Sequence, residues 1–303
     1  MTTPASSDPV WQSISTAIGA RTKQSFALAN IRPISGGCIN DAAVIDNGDN
    51  RVYFVKLNAA NCADMFEAEA DALGELSAAK ALRVPSPVCF GSDDQYAWLV
   101  LEYLGEVKLR SNGNWALAGR ELARMHQSRQ KQYGWRRDNT IGSTPQPNDY
   151  SGDWVEFLRQ QRIGYQLDLA ARNGYGGRLL THGHRLLDGL PTLFADYIPD
   201  ASLLHGDLWS GNIGFVDNGE PVVFDPAVYY GDRETDVAMT ELFGGFADDF
   251  YRGYEEVWPL DQGYRVRKHV YNLYHLFNHL NLFGTGYVLQ CESVIDLVLA
   301  QLD

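Results

Sequence analysis

No apolar run in this sequence approaches the roughly 20 residues a membrane-spanning helix needs. The opening residues, MTTPASSDPVW, have neither the basic start nor the apolar centre of an export leader. A membrane span and export are therefore not expected, and cytoplasm is the simplest location. Cysteine is sparse: Cys38, Cys62, Cys89 and Cys291 are widely scattered without a CxxC pair, which argues against both a zinc knuckle and a disulfide scaffold. Basic charge is also short, with 25 Lys and Arg against 38 Asp and Glu and a formal net charge of -13. Nonspecific binding to nucleic acid or a membrane surface rests on clustered Lys and Arg, so neither partner is expected, and an anionic substrate must be met by local groups. Internal repeats and low-complexity tracts are absent.

What is present is a chain of 303 residues, 45% hydrophobic, long enough for one large domain or two packed lobes. From about Phe26 to Leu104 strand-like runs alternate with one helical pattern. From Trp115 onward long helical patterns dominate. The change falls near Leu104 and Gly105, where the apolar run from Tyr96 ends and the polar stretch Arg110 to Asn114 follows. Two lobes are expected, residues 1–104 and 105–303. The fold class is α+β: a small antiparallel sheet with one key helix, then a larger, mainly helical lobe.

The segment HGDLWSGNIGFVDNGEPVVFD, His205 to Asp225, carries the chemistry. Asp207 and Asn212 stand at the interval that places a proton acceptor and a cation-binding amide for phosphoryl transfer. Ile213 to Val216 and Val222 to Phe224 are apolar runs around a turn-rich Asp217–Glu220, which predicts a hairpin. A hairpin brings its ends together, so Asn212 and Asp225 should be close enough to share a hard cation held by oxygen; magnesium suits such a water-completed site. Each triplet alone is an ordinary polar turn, and the order and spacing carry the inference.

The first lobe supplies complementary groups. Gly36 and Gly37 form a turn through which backbone amides can approach phosphate, although any hairpin can carry a Gly pair. In RVYFVKL, alternation puts Val52, Phe54 and Lys56 on one strand face, so Lys56 is a candidate phosphate grip. On the next helix Phe66, Glu69, Ala70, Leu73 and Leu76 share a stripe, while Asp64, Glu67, Asp71 and Glu75 fall on the polar side. A carboxylate on an apolar stripe needs a cation opposite, which pairs Glu69 with Lys56. Glu102 and Tyr103, at the end of the run Ala97 to Leu104, are candidate adenine contacts by position alone; packing or solvation accounts for them equally well. His126 ends an amphipathic segment and is read as packing. His275 and His279, four apart, lack the HExxH context of a metal pair, and aromatic packing is the better account.

Together these blocks resemble the fructosamine kinases (ketosamine 3-kinases), within the protein-kinase-like fold group that also holds aminoglycoside and choline kinases. The resemblance is nearly full length. It rests on GGCIN at Gly36–Asn40, FVKLN at Phe54–Asn58, MFEAEADAL at Met65–Leu73 and RDNTIGSTPQPN at Arg137–Asn148. It continues through HGDLWSGN at His205–Asn212, FDPAVYYGDRETDVAMTELFGGF at Phe224–Phe246 and YNLYHLFNHLNLFG at Tyr271–Gly284. It implies a bilobal fold and transfer of phosphoryl from ATP, with Mg2+, to the 3-hydroxyl of a ketosamine, small or protein-bound, leading to release of the amine. Asp207 would be the base, Asn212 and Asp225 the magnesium ligands, Lys56 and Glu69 the phosphate grip, and Gly36 and Gly37 the cover. Trp209 would face the sugar, with a core anchor as the alternative. Asp232, Glu234 and Asp236 suit either amine recognition or capping and scaffold ion pairs. Cys38 suits either redox sensitivity or simple filling of a tight loop. The competing functions are a kinase of another amino-alcohol or an aminoglycoside, which the GSTPQPN and DPAVYYGDRETD blocks disfavour, and a silent binding protein. Against the latter, Lys56, Glu69, Asp207, Asn212 and Asp225 are all in place.

Overall fold

The computed structural model describes residues 3–34, 39–109 and 113–302. It opens with a helix that the pattern from Phe26 onward does not include: α1, Val10–Thr22. Asp8 Oδ1 accepts the Val10 N–H at 3.0 Å, and Pro9 stands at the N-cap. Val10, Trp11, Ile14 and Ile18 are buried on one helix face. The sheet that covers them contains β1 (Asn30–Ile34), β2 (Asp41–Asp46), β3 (Val52–Ala59), β4 (Pro87–Ser92) and β5 (Tyr96–Glu102), antiparallel in the order β1-β2-β3-β5-β4. Helix α2, Ala63–Ala78, links β3 to β4.

Alternation along the strands gives the sheet two different faces. Val55, Leu57, Trp98 and Val100 pack with α1. Phe54, Leu99 and Leu101 pack with Phe66, Leu73 and Leu76 of α2 in a cluster that runs on into the helical part of the chain. Each fully buried Leu or Phe contributes roughly 1.5–3 kcal/mol. Lys56 lies on the α2 face, where its ammonium group needs a partner.

Beyond the sheet, Lys108 exchanges two backbone hydrogen bonds with Phe215, at 3.0 and 3.2 Å. Then come α3 (Trp115–His126), β6 (Arg129–Gln130), β7 (Asn139–Ile141), β8 (Thr144–Gln146) and α4 (Trp154–Leu158), which passes through a π-helical turn at Arg159–Ile163 into α5 (Gly164–Arg172). After α6 (Arg178–Leu193) the short strands β9 (Ala201–Leu204), β10 (Ile213–Phe215), β11 (Pro221–Val223) and β12 (Tyr229–Gly231) precede α7 (Glu234–Leu242), α8 (Asp248–Val257), α9 (Tyr264–Phe283) and α10 (Val288–Leu299). β9 is the middle strand of β12-β9-β6. The expected hairpin is β10–β11; its turn takes in Val216, whose N–H bonds the Glu220 carbonyl at 3.1 Å, so the first strand is one residue shorter than its apolar run and the second begins one residue earlier. Among the described residues no helix is long and apolar enough to cross a membrane.

Candidate active site

The loop between β9 and β10 is held by its own backbone. Gly206 has φ 82°, and a Cβ there would lie 2.0 Å from the Ala227 carbonyl oxygen, so only glycine allows the approach. That approach lets the Ala227 N–H reach the His205 carbonyl at 2.8 Å and locks the HGD and FDPA segments together. His205 is fully buried and its Nε2 meets the Phe224 carbonyl at 3.0 Å. A carbonyl only accepts, so Nε2 carries the proton and Nδ1 receives the Asp207 N–H at 3.3 Å. Burial pushes the His205 pKa down, which agrees with this neutral tautomer. Asn212 turns its amide nitrogen to the Asp207 carbonyl (2.9 Å) and carboxylate (3.1 Å). Burial, then the nearby Asp225 charge, pushes the Asp207 carboxyl up to about 7.

Asp225 leaves the hairpin in the left-handed region, φ 57°, which Asp tolerates better than most residues. The Phe224 N–H bonds the Asn212 carbonyl at 3.1 Å, so the hairpin ends do meet. Lys56 Nζ lies 2.5 Å from Glu69 and 2.6 Å from Asp225. Burial would lower the lysine pKa, but Asp225 and then Glu69 outweigh it and hold it above the ordinary value. Burial draws the Glu69 carboxyl up while Lys56 draws it down; at this separation the ion pair is the state we assign. The polar side of α2 is engaged as well: Asp71 pairs with Arg136 and Arg137 at 2.8 Å each, Glu67 with Arg137 at 3.3 Å, and Glu75 accepts from the Tyr230 hydroxyl at 2.7 Å. The helix carrying Glu69 is thus tied to the helical part of the chain on its second face.

Behind the loop between β9 and β10, Asp236 accepts the His205 and Gly206 N–H groups at 2.7 and 2.8 Å and meets His126 Nε2 at 3.1 Å. His126 Nδ1 meets the Tyr254 hydroxyl at 2.8 Å, and Arg233 donates to that hydroxyl at 3.0 Å. Glu234 takes a bidentate pair from Arg267 at 2.9 Å, and Asp232 accepts the Glu234 N–H at 3.0 Å together with the Tyr197 and Tyr271 hydroxyls. Asp232, Glu234 and Asp236 are at most 1% exposed, so of the two roles open to them the scaffold role is the one observed.

A second frame could not be read from the sequence. Asn139, Gln146 and Asn148, all buried, form an amide ladder: Gln146 donates to Asn139 Oδ1 (2.8 Å) and the Ala227 carbonyl (3.0 Å), Asn139 to the Val228 carbonyl (2.8 Å), and Asn148 to Asn139 Oδ1 (2.9 Å). Arg162, in the π-helical turn, bonds Asn148 Oδ1 and the Pro147 carbonyl at 2.6 Å and stacks 3.9 Å from the Tyr229 ring centroid. The GSTPQPN block therefore props the chain just after Asp225. Its one trace in the sequence is the density of amides on and just after two short strands.

Glu102 differs in one respect from the expected adenine contact. Its N–H is committed to the Ser86 carbonyl at 2.8 Å, and its carboxylate binds Arg83 at 3.0 Å, because β5 ends against the segment leading into β4. Tyr103 accepts from Arg32 at 3.2 Å. Gly36, Gly37 and Cys38 lie outside the described residues. Trp209 is half-buried: its ring lies across Gly211, where a Cβ would come within 2.4 Å of it, and meets Phe243 edge-on. His275 is buried, as packing predicts, and His279 sits partly exposed among Phe243, Phe283 and Tyr287.

A sheet carrying a Lys–Glu pair over a helical base with a catalytic loop and hairpin is the protein-kinase-like phosphotransferase fold. A thermostable mutant of an aminoglycoside phosphotransferase, solved in ternary complex with ADP and hygromycin B, has this fold with TM-score 0.66 at 16% identity, over 95% of this chain and 98% of that one. The fructosamine kinase profile matches residues 10–301. A Synechocystis protein named "Probable ketoamine kinase" is 44% identical over 293 residues, 96% of this chain and 98% of its own. A crystal structure from Haemophilus somnus, of a protein named "Putative fructosamine-3-kinase", superposes with TM-score 0.86 at 30% identity, covering 95% and 97% of the two chains. The chain belongs to the fructosamine kinase family and is a kinase.

Proposed function

We propose that this kinase transfers the γ-phosphoryl group of ATP to the 3-hydroxyl of ketosamines, the fructosamine and ribulosamine adducts of amines. The observation that carries the reading is the convergence of Asp207, Asn212, Asp225 and Lys56 on one point in a chain of this family. Residues 1–104 act as the nucleotide-gripping lobe and 105–303 as the catalytic and acceptor lobe, meeting near Leu104 and Gly105. Lys56 grips the phosphates while Glu69 fixes it, and Gly36 and Gly37 cover them. The main-chain groups of Glu102 and Tyr103, apart from the committed Glu102 N–H, receive adenine.

Asp207 orients the acceptor hydroxyl and takes its proton as the bond from O3 to phosphorus forms and the bond from phosphorus to the departing ADP oxygen breaks. A carboxyl raised to about 7 is matched to that task near neutral pH. Because Asn212 already spends its amide nitrogen on Asp207, its oxygen is left for a cation, and the Asp225 carboxylate is half-exposed. This hard-oxygen pair fits Mg2+. When bound, magnesium neutralises phosphate charge and orients the transferring group. Trp209 offers its ring to the sugar C–H groups. A phosphate at C3 is a far better leaving group than hydroxide beside the carbonyl carbon, so elimination then frees the amine without further help from the protein.

ADP release measured with fructosyl-lysine, ribulosyl-lysine, choline and kanamycin tests this. Ketosamine turnover is expected, and Asp207→Ala should lower it by roughly 100- to 10,000-fold. Turnover of choline or kanamycin but of neither ketosamine overturns the acceptor assignment, and an unchanged Asp207→Ala removes the base.

A further inference from the structure

Five ring side chains run in unbroken contact from the catalytic loop to the surface. Trp209 meets Phe243 at 6.3 Å between centroids, Phe243 meets His279 at 4.7 Å, and His279 lies 5.4 Å from Phe283 and 5.3 Å from Tyr287. They come from the catalytic loop, the end of α7, helix α9 and the turn at Thr285–Tyr287. Rings serving the core of this protein, such as Tyr229, Tyr271 and Phe250, are at most 1% exposed, whereas Phe283 is 54% exposed and the other four are partly exposed. Burial holds His279 neutral by lowering its pKa, so the row presents π faces and no charged side chain of its own.

We infer that this row is the subsite for the amine end of the acceptor, taking apolar or aromatic substituents on a protonated nitrogen. The inference rests on the ketosamine reading above and narrows it. Only C2 and C1 separate the phosphorylated carbon from the nitrogen, and Phe243 is the next ring beyond Trp209, so the subsite we assign sets the amine of a sugar held at Asp207 and Trp209 against Phe243. Ring faces attract an ammonium group and gain area from a flat substituent, while they give an anionic substituent nothing to bind.

The test uses the fructosyl adducts of methylamine and benzylamine, with KM and kcat from ADP release. Wild-type KM for the benzylamine adduct should be about tenfold lower than for the methylamine adduct. Phe243→Ala should shrink that gap to about twofold, and Phe283→Ala, at the exposed end where folding is not at stake, to about threefold. In both the change should fall on the KM ratio and not on the kcat ratio. Equal KM values for the two adducts in the wild type, or a gap that survives both substitutions, overturn the subsite while leaving the ketosamine reading intact. If neither fructosyl adduct is turned over, the ribulosyl adducts of the same two amines take their place with the same expected gaps; a wild-type protein that phosphorylates none of the four overturns that reading and the subsite with it.

Discussion

Asp236→Asn tests how far the catalytic loop depends on the group beneath it. The carboxylate serves three donors with two oxygens: the Gly206 N–H on Oδ1, and the His205 N–H and His126 Nε2 on Oδ2. An asparagine has one accepting oxygen. In either orientation its NH2 points at a backbone N–H, leaving at least one buried donor without an acceptor at a cost of about 1–3 kcal/mol. The surviving bonds also lose their charge assistance, roughly halving each. A loss of about 3–5 kcal/mol in unfolding free energy follows. Gly206 immediately precedes Asp207, the base we propose, and a base displaced by about 1 Å costs on the order of 100-fold in rate. Urea unfolding followed by tryptophan fluorescence gives the first quantity, and ADP release at saturating ketosamine gives the second. KM for ATP should move little, because Lys56 and Glu69 lie on β3 and α2 and make no contact with Asp236. A variant as stable as the wild type within about 0.5 kcal/mol, or one with unchanged kcat, would refute the reasoning.

Glu69→Gln removes one of the two carboxylates on Lys56. It should cost about 1.5–3 kcal/mol, the scale of one charged hydrogen bond, and raise KM for ATP about tenfold with a smaller change in kcat; KM for the ketosamine should stay put. His275→Phe probes a buried imidazole whose pKa burial pushes from 6.5 down to about 3. As pH falls below the unfolded value of 6.5, the unfolded chain binds a proton that the folded chain refuses until about 3, so this group's contribution to stability is complete above that range and lost through it. The stability of the phenylalanine variant relative to the wild type should therefore rise by about 2 kcal/mol between roughly pH 8 and pH 5, read from paired urea titrations. A difference that does not change with pH would mean that the imidazole is already charged or solvated.

Features that repeat within one element were legible in the sequence. Alternation on β3 placed Lys56, the 3.6-residue period on α2 turned Glu69 inward, and the hairpin composition brought Asn212 back to the chain entering Asp225. What the sequence did not disclose depends on partners far away along the chain. The acids Glu67, Asp71 and Glu75 read as a solvated face because Arg136, Arg137 and Tyr230 belong to other elements. Asn139, Gln146 and Asn148 look like loop residues until the 224–229 segment folds onto them. Helix α1 was within reach, since Val10, Ile14 and Ile18 recur every four residues after an Asp–Pro start, but its apolar pattern is weak beside the strands it covers.

The frame of Asn139, Gln146 and Asn148 behind Asp225 has a property that an ionic frame would lack. Amide side chains neither gain nor lose protons across roughly pH 4 to 10, and hydrogen bonds between buried neutral dipoles are little affected by added salt. The wall that sets the position of the chain after Asp225 therefore keeps its shape while the solution around it changes. A rate that varies with pH or salt over this range therefore reports on some other group than this wall.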